Sequence, residues 1–256
     1  MSWGRDAARR TGALIGVAAI AAAVATTAAA GASGGGSPVI KSGAGPGWPQ
    51  TLTANDFVSR VDNPWFPLEP GSRYHYEGAE DGTKMTDDVH VTDRTKSILG
   101  VDATAVHDVV SVHGVPREVT DDWYAQDTKG NVWYFGERTR ELDPDGNVTS
   151  REGSFKAGRD GARAGVYMAA HPKVGVTARQ EYYKGHASDR FRVVERGADV
   201  TVPALTSDDA LRTQERTHLE PNVIDNKFYV RGIGSVRELT VKGGSETLEL
   251  VSVSGV

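Results

Sequence analysis

The chain has 256 residues, with 29 Lys or Arg, 34 Asp or Glu and no Cys, and its formal net charge is −5 at pH 7. The lack of cysteine excludes a disulfide scaffold, and an apolar fraction of 38% excludes a protein with many membrane spans. The acidic balance argues against nucleic acid as a partner.

The first 32 residues are typical of a secretory signal peptide. Arg5, Arg9 and Arg10 precede an uncharged, alanine-rich stretch from Ala13 to Ala30, and this basic, apolar and small-residue order is the signal pattern. A retained membrane anchor is the alternative, although the stretch is only weakly apolar for a span. We expect residues 1–32 to be cleaved, no membrane span to remain, and the mature protein to be secreted or extracytoplasmic, in the cell envelope.

The rest of the chain divides into a linker and one domain. Residues 33–50 are rich in Gly and Pro, which is the composition of a flexible linker. No later change in composition marks a second boundary, and we therefore predict one antiparallel β domain over residues 51–256.

Helical patterns are short. Thr53 to Arg60 has the pattern of two helical turns, with Thr53 or Asn55 as the N-cap. Ser207 to Arg212 has a capping serine followed by two acids, which favours one or two further turns.

Tight turns dominate the body of the chain. Ala79–Thr83, Asp127–Asn131 and Asp143–Asn147 each place Gly where a short hairpin loop requires a positive φ. Lys242–Ser245 has the pattern of a two-residue loop. The turns lie between stretches of alternating apolar and polar residues, so the predicted fold class is mainly β, with one or two short helices. We expect a single antiparallel, strongly twisted sheet that forms an open or half-closed barrel.

The turn positions also predict strand registers. Pairing Asp127 with Asn131 places Tyr124 opposite Tyr134 and Trp123 opposite Phe135. Pairing Lys242 with Ser245 places Leu239 opposite Leu248. Such cross-strand pairs stabilise a ladder by roughly 0.2–1 kcal/mol each.

The aromatic hairpin is the best candidate for a ligand-binding site, because aromatic side chains occupy both of its faces. Glu137 has the same strand parity as Trp133 and Phe135. If that parity faces inward, its carboxylate lies beside an apolar wall and its pKa is raised; the alternative, which the sequence favours, is a strand end at which the carboxylate emerges into water. The full set of predicted ligand-binding residues is Trp123, Tyr124, Trp133, Tyr134, Phe135, Glu137, Tyr182 and Tyr183.

Motifs for nucleophilic, metal or nucleotide chemistry are not found in the sequence. Glu181, His186 and Asp189 form an oxygen and imidazole set that a metal ion accepts. Acids are so abundant in this chain that such sets arise without function, and we predict neither a metal nor another cofactor.

Several segments are distinctive when they are taken together in chain order. They are Asp62–Gly71, Asp122–Asp127, Gly130–Glu137, Gly158–Ala162, Gln180–Tyr183, Leu219–Pro221 and Gly232–Gly234. In this order they resemble a family of secreted bacterial β-rich proteins with no assigned activity. This resemblance implies export and a shared β-rich fold, and it implies no catalytic residue. At the level of fold, the chain is also loosely similar to the half-barrels of periplasmic lipoprotein carriers.

Three functions follow from the sequence. The first is an exported, non-enzymatic protein that binds a lipid-like or other amphipathic small molecule in the concave face of its sheet. The second is a hydrolase or lyase with an unrecognised carboxylate and histidine site that uses Glu137, Glu181 or His186. The third is a cell-envelope module that binds a protein partner and no small ligand.

Overall fold

The computed structural model of the protein describes residues 38–256, so the predicted signal peptide and the first residues of the predicted linker lie outside it. The described part contains 18 β-strands, one short 3-10 helix and no α-helix. Within residues 38–256, no helix has both the length and the hydropathy that a membrane span requires. The strands are β1 Ile40–Lys41, β2 Thr51–Leu52, β3 Phe57–Val58, β4 Arg73–Glu80, β5 Thr83–Ile98, β6 Val101–Val112, β7 Val115–Asp127, β8 Val132–Leu142, β9 Val148–Ser150, β10 Phe155–Lys156, β11 Arg163–Met168, β12 Thr177–Arg179, β13 Glu181–Tyr182, β14 Arg190–Val202, β15 Leu205–Arg216, β16 Ile224–Val230, β17 Gly234–Lys242 and β18 Thr247–Ser254.

Sixteen of these strands form one antiparallel sheet that curls into a nearly closed barrel with one unsealed seam. Its spatial order is β12-β14-β15-β16-β17-β18-β4-β5-β6-β7-β8-β11-β13. Within β4–β8 and within β14–β18 the order follows the chain, and the pairing of β18 with β4 joins these two halves. At the two edges, β12 pairs with β14, and β13 pairs with β11. The structure thus confirms the predicted mainly β, barrel-like fold class.

The seam lies where the chain passes from β12 to β13, with only Gln180 between them. Residues 38–50, which we call the seam strap, cover it. The strap binds both sides, because Gly43 N–H donates to the Ala164 carbonyl of β11 at 2.7 Å and the Ala44 carbonyl accepts from Arg179 N–H of β12 at 2.9 Å. Ile40, a residue of the strap itself, is fully buried. The described part of the predicted linker therefore packs against the barrel.

The two predicted helices take other forms. Only Ala54–Asp56 is helical in the first segment, as a 3-10 turn in which the Asp56 carboxylate accepts the Thr53 N–H at 2.7 Å. The second segment, Ser207–Arg212, lies inside β15, so its helix prediction is wrong. Pairing with β14 and β16 and the burial of Leu211 outweigh the local helix preference there.

The aromatic hairpin has the predicted turn but a different register beyond it. Tyr124 lies opposite Tyr134 as predicted, whereas Trp123 lies opposite Gly136 and not Phe135. A β-bulge at this point inserts one residue into β8 and reverses the alternation of its side chains. Gly136 allows the bulge, since its φ is 139° and a Cβ would lie 2.3 Å from the Phe155 carbonyl oxygen.

The last hairpin also differs by one residue from the prediction. Leu239 pairs with Thr247, and Leu248 pairs with Glu238. Thr240 N–H donates to the Glu246 carbonyl at 2.9 Å, which closes a longer loop than the predicted two residues.

Candidate functional site

The predicted ligand-binding aromatic residues separate onto different faces of the barrel wall. Tyr124 and Tyr134 stack inside the barrel with 4.8 Å between ring centroids, and Tyr167 contacts both. Trp133 and Phe135 point to the opposite face of β8, where the ring of Phe57 covers them at 6.3 and 5.2 Å. All four predicted residues are fully buried.

The remaining predicted aromatic residues lie apart from this cluster. Trp123 is next to Lys96, whose Nζ lies 5.9 Å from its ring centroid. The guanidinium carbons of Arg163 and Arg179 lie 5.5 and 5.3 Å from the centroid of the Tyr182 ring. Tyr183 stacks on His186 with 4.3 Å between ring centroids. The candidate set therefore does not line one common face.

Buried acids form a layer inside the barrel, which we call the inner acid layer. The registers place them on one face, since Tyr76 pairs with Asp87 and Asp122 pairs with Glu137. The layer consists of Asp87, Asp108, Asp122, Glu137, Glu181, Asp189, Glu215 and Glu238.

Tyr134 joins two of these acids. Its hydroxyl lies within hydrogen-bond distance of Asp122 Oδ1 and of Glu137 Oε2, the latter at 3.0 Å. A tyrosine hydroxyl has one proton to donate, so one of the two carboxyl groups must donate its own proton to the tyrosine oxygen. Because of the bulge, Glu137 faces inward with Tyr134, and its predicted parity with Trp133 and Phe135 is wrong.

Burial keeps much of the inner acid layer protonated. Burial raises the pKa of Asp122 to about 8, although the Tyr134 hydrogen bond lowers it. Burial, followed by the nearby Asp122 and Glu181, raises the pKa of Glu137 well above its usual range. Burial and Asp87 act in the same direction on the pKa of Asp108. These acids are therefore largely uncharged near neutral pH.

Lys227 neutralises the other side of the layer. Its Nζ lies 3.2 Å from Glu215 Oε2 and 3.5 Å from Glu238 Oε2. Burial alone would lower the pKa of Lys227, but the two carboxylates raise it well above its ordinary value. Lys227 is the one buried Lys or Arg within residues 38–256.

The residues proposed for hydrolase or metal chemistry are only partly brought together. Glu181 raises the pKa of Glu137, and Asp189 raises that of Glu181, so these three acids are neighbours. His186 instead stacks on Tyr183 outside the layer. Across the described chain, no group of three or more His, Asp or Glu side chains has an arrangement that would hold a metal ion.

A separate cavity of about 450 Å³ opens at one end of the barrel, and we call it the mouth cavity. It lies where the β7–β8 turn, the loop after β11 and the β16–β17 turn meet. Its volume is within the range of small-molecule sites, roughly 300–1,000 Å³. It is lined by Asp62, Asn63, Pro64, Trp65, Gln126, Lys129, Gly130, Ala170, His171, Pro172, Lys173, Arg196 and Arg231.

Hydrogen bonds fix the floor of the mouth cavity. The buried Asn63 donates from Nδ2 to the carbonyls of Gly130 at 2.8 Å and Ala169 at 3.2 Å. Gln126 Oε1 accepts from Asn63 N–H at 2.7 Å, and Gln126 Nε2 donates to Asp62 Oδ1 at 2.6 Å. The segment at Asp62 and Asn63 is therefore held in place by the protein's own hydrogen bonds.

The turns around the cavity are tied to the same floor. Gly232 N–H donates to the Pro64 carbonyl at 2.7 Å, which joins the β16–β17 turn to the loop. Ala170 N–H donates to Asn131 Oδ1 at 2.9 Å, which joins the loop after β11 to the β7–β8 turn. These contacts connect segments that are far apart in the sequence.

Cations dominate the lining of the mouth cavity. Lys129, Lys173, Arg196 and Arg231 stand against the single carboxylate of Asp62. The Arg231 guanidinium carbon lies 4.2 Å from the centroid of the Trp65 ring, and that of Arg196 lies 6.0 Å from it. Sequence reasoning missed these residues, because their positions in the chain show no spacing pattern. Three of the segments that carry the family resemblance overlap the cavity: Asp62–Gly71, Asp122–Asp127 through Gln126, and Gly130–Glu137 through Gly130.

Comparisons with known proteins give one distant structural likeness. No family model and no curated protein sequence matches the chain. The crystal structure of a candidate lipoprotein from Parabacteroides distasonis aligns with a TM-score of 0.41 and 10% sequence identity, covering 75% of this chain and 99% of the other.

Proposed function

We propose that the protein is an exported, non-enzymatic binding protein that takes a small amphipathic molecule in the mouth cavity. The observation that carries this proposal is the cavity itself, which combines a fitting volume with a floor held by Asn63 and Gln126. A site held in its bound geometry avoids the entropy cost of ordering its loops on binding. The predicted signal peptide supports an extracytoplasmic location.

The mouth cavity supports ligand binding better than the concave inner face does. Tyr124, Tyr134 and Tyr167 fill the inner face with ring-to-ring contacts. The mouth cavity offers both apolar surface, from Pro64, Ala170 and other residues, and charged groups at its rim. An amphipathic ligand matches this mixture.

The lining favours binding over catalysis. Its one carboxylate, Asp62, is engaged by the Gln126 amide. The acids that the sequence suggested for catalysis, Glu137 and Glu181, are buried in the inner acid layer. Apart from Asp62 and His171, the ionisable groups of the lining are the four Lys and Arg side chains, which are suited to holding a ligand.

Native mass spectrometry of the mature protein, purified from cells that export it, tests this proposal. We expect a small-molecule mass to be retained by the wild type and lost in Ala170→Phe, because a phenyl ring would occupy the cavity. Val148→Phe is the matched control, since Val148 is exposed on β9, at the opposite end of β8 from the mouth.

Each outcome decides the proposal. Loss of the bound mass in Ala170→Phe alone, with unchanged thermal unfolding, supports it. A mass retained by both variants would place the ligand elsewhere, and a bare polypeptide mass for the wild type in every preparation would contradict the proposal.

A further inference from the structure

The four cations of the mouth cavity have no carboxylate partner of their own. Within residues 38–256, no ion pair involves Lys129, Lys173, Arg196 or Arg231. Most Lys and Arg residues of the described chain likewise lack an ion pair, and the exceptions include Arg138 with Asp121 and Arg237 with Glu249, the latter at 3.1 Å. What distinguishes these four cations is that they line one cavity together, beside a single carboxylate, that of Asp62.

The two arginines are also held in a way that leaves their donors free. The guanidinium carbon of Arg231 lies over the buried Trp65 ring at 4.2 Å from its centroid, and that of Arg196 lies over it at 6.0 Å. A guanidinium held over an aromatic ring still has N–H donors in its own plane, and these donors fit a carboxylate or phosphate in two parallel hydrogen bonds. Neither arginine side chain donates a hydrogen bond to another residue of the described chain.

Electrostatics add a reason why an anion would settle here. Four like charges around one cavity repel each other, and a bound anion relieves that repulsion. The four cations outnumber the single carboxylate of the lining, so the local field at the mouth cavity attracts anions. A cationic ligand would experience the opposite preference.

We infer that the mouth cavity selects small organic molecules that carry a carboxylate or phosphate group. Arg196 and Arg231 hold the anionic group from the Trp65 side, and Lys129 and Lys173 face it from the turn and the loop. The apolar lining at Pro64 receives the rest of the molecule. This inference rests on the proposed function and specifies the chemical class of its ligand.

Isothermal titration calorimetry with citrate and with inorganic pyrophosphate at low salt tests the inference. We expect one saturable site for at least one of the two probes, and the stronger probe shows whether carboxylate or phosphate is preferred. The double variant Arg196→Gln/Arg231→Gln should weaken binding at least about tenfold, because two charge-assisted contacts are lost. Binding should also weaken as salt rises, since these cations are exposed.

Two further variants keep the test decisive. Lys129→Gln/Lys173→Gln leaves the Trp65 contacts intact and should still weaken binding, even if the arginine variant unfolds. Arg151→Gln is the matched control, because Arg151 is exposed between β9 and β10, away from the mouth, and it should bind like the wild type.

The outcomes separate this inference from the proposed function. Absence of binding by both probes, together with a neutral or cationic molecule retained in the mouth cavity, would overturn the anion inference and leave the binding function in place. If Arg151→Gln weakens anion binding as much as the cavity variants do, or if neither cavity variant weakens it, the anions bind elsewhere. Either result would also overturn the anion inference. If the protein retains no small molecule and binds neither anion, both the anion inference and the proposed binding function are contradicted.

Discussion

Gly136 decides which side chains of β8 reach the inside of the barrel. It sits at the bulge, and the alternation that follows it places Glu137 on the same face as Tyr134. Without the bulge, the carboxylate of Glu137 would face Phe57 and its apolar neighbours. One residue without a side chain therefore sets the composition of both faces of the hairpin.

Gly136→Ala should lower the free energy of unfolding by more than about 3 kcal/mol. The added Cβ would lie 2.3 Å from the Phe155 carbonyl oxygen, so β10 would have to separate from β8. Gly146→Ala is the control, because Gly146 also has a positive φ, of 82°, but a Cβ added there would meet nothing within 4 Å, and its cost should be about 1 kcal/mol. Urea unfolding measures both values, and equal losses would show that the Phe155 contact does not matter.

At the scale of elements, the seam strap replaces the strand pairing that the barrel lacks between its two edges. Gly43 and Ala44 bond to β11 and to β12 respectively. Trp48 Nε1 adds a hydrogen bond to the Thr177 carbonyl at 2.9 Å. The strap thereby satisfies backbone groups that an open sheet edge would leave unpaired.

Ile40→Ala should destabilise the barrel by about 3 kcal/mol, because loss of the buried side chain leaves a cavity under the strap. The neighbouring Val39→Ala provides the control, since Val39 is 61% exposed and its change should stay within about 0.5 kcal/mol. Thermal unfolding followed by tryptophan fluorescence distinguishes them. Similar, small losses in both variants would mean that the strap adds little to the stability of the barrel.

The elements also show what the sequence can and cannot predict. Turn chemistry is local, so the sequence predicts the loops at Gly82, Gly130 and Gly146, and each of these residues has a positive φ. The sequence predicts a flexible linker for the strap, because its Gly and Pro content is typical of linkers. Composition does not report whether such a segment packs against a seam. The bulge at Gly136 depends on contact with β10. That contact is between segments distant in the chain, so the local sequence pattern does not predict it.

The candidate site is beyond sequence reasoning for a related reason. Lys129, Lys173, Arg196 and Arg231 belong to four different segments, which only the closure of the sheet brings together. The sequence does indicate aromatic packing on both faces of the hairpin, but Phe57 covers the face of Trp133 and Phe135. The assignment of the hairpin aromatic residues to a ligand site stays a prediction.

At the scale of the whole molecule, many acids are buried inside the barrel, whereas a group of cations lies at one of its openings. The inner acid layer is uncharged to a large extent, because burial raises the pKa values of its members, and Lys227 compensates Glu215 and Glu238. Four exposed cations line the mouth cavity beside one carboxylate. The barrel therefore keeps acids inside in their neutral form and presents positive charge at one opening.

This arrangement predicts that the protein is more stable at acidic pH. Asp122 has an ordinary pKa of 3.8 when unfolded and one of about 8 in the barrel. Between these values the folded state binds more protons than the unfolded state, so the free energy of unfolding falls as pH rises from about 4 to about 8. Asp189, whose pKa is also raised to about 8, adds to the same slope.

Asp122→Asn should flatten this dependence. The amide cannot ionise and still accepts a hydrogen bond from Tyr134, so we expect the variant to lose less stability than the wild type between about pH 5 and about pH 8. Its unfolding temperature at pH 8 should exceed that of the wild type by roughly 5 °C. Asp102→Asn is the control, because Asp102 is exposed on β6. This variant should leave the pH dependence of the free energy of unfolding unchanged. Thermal unfolding at several pH values gives all three curves, and a wild-type curve that rises toward pH 8 would mean that the inner acids are ionised and stabilised in the folded barrel.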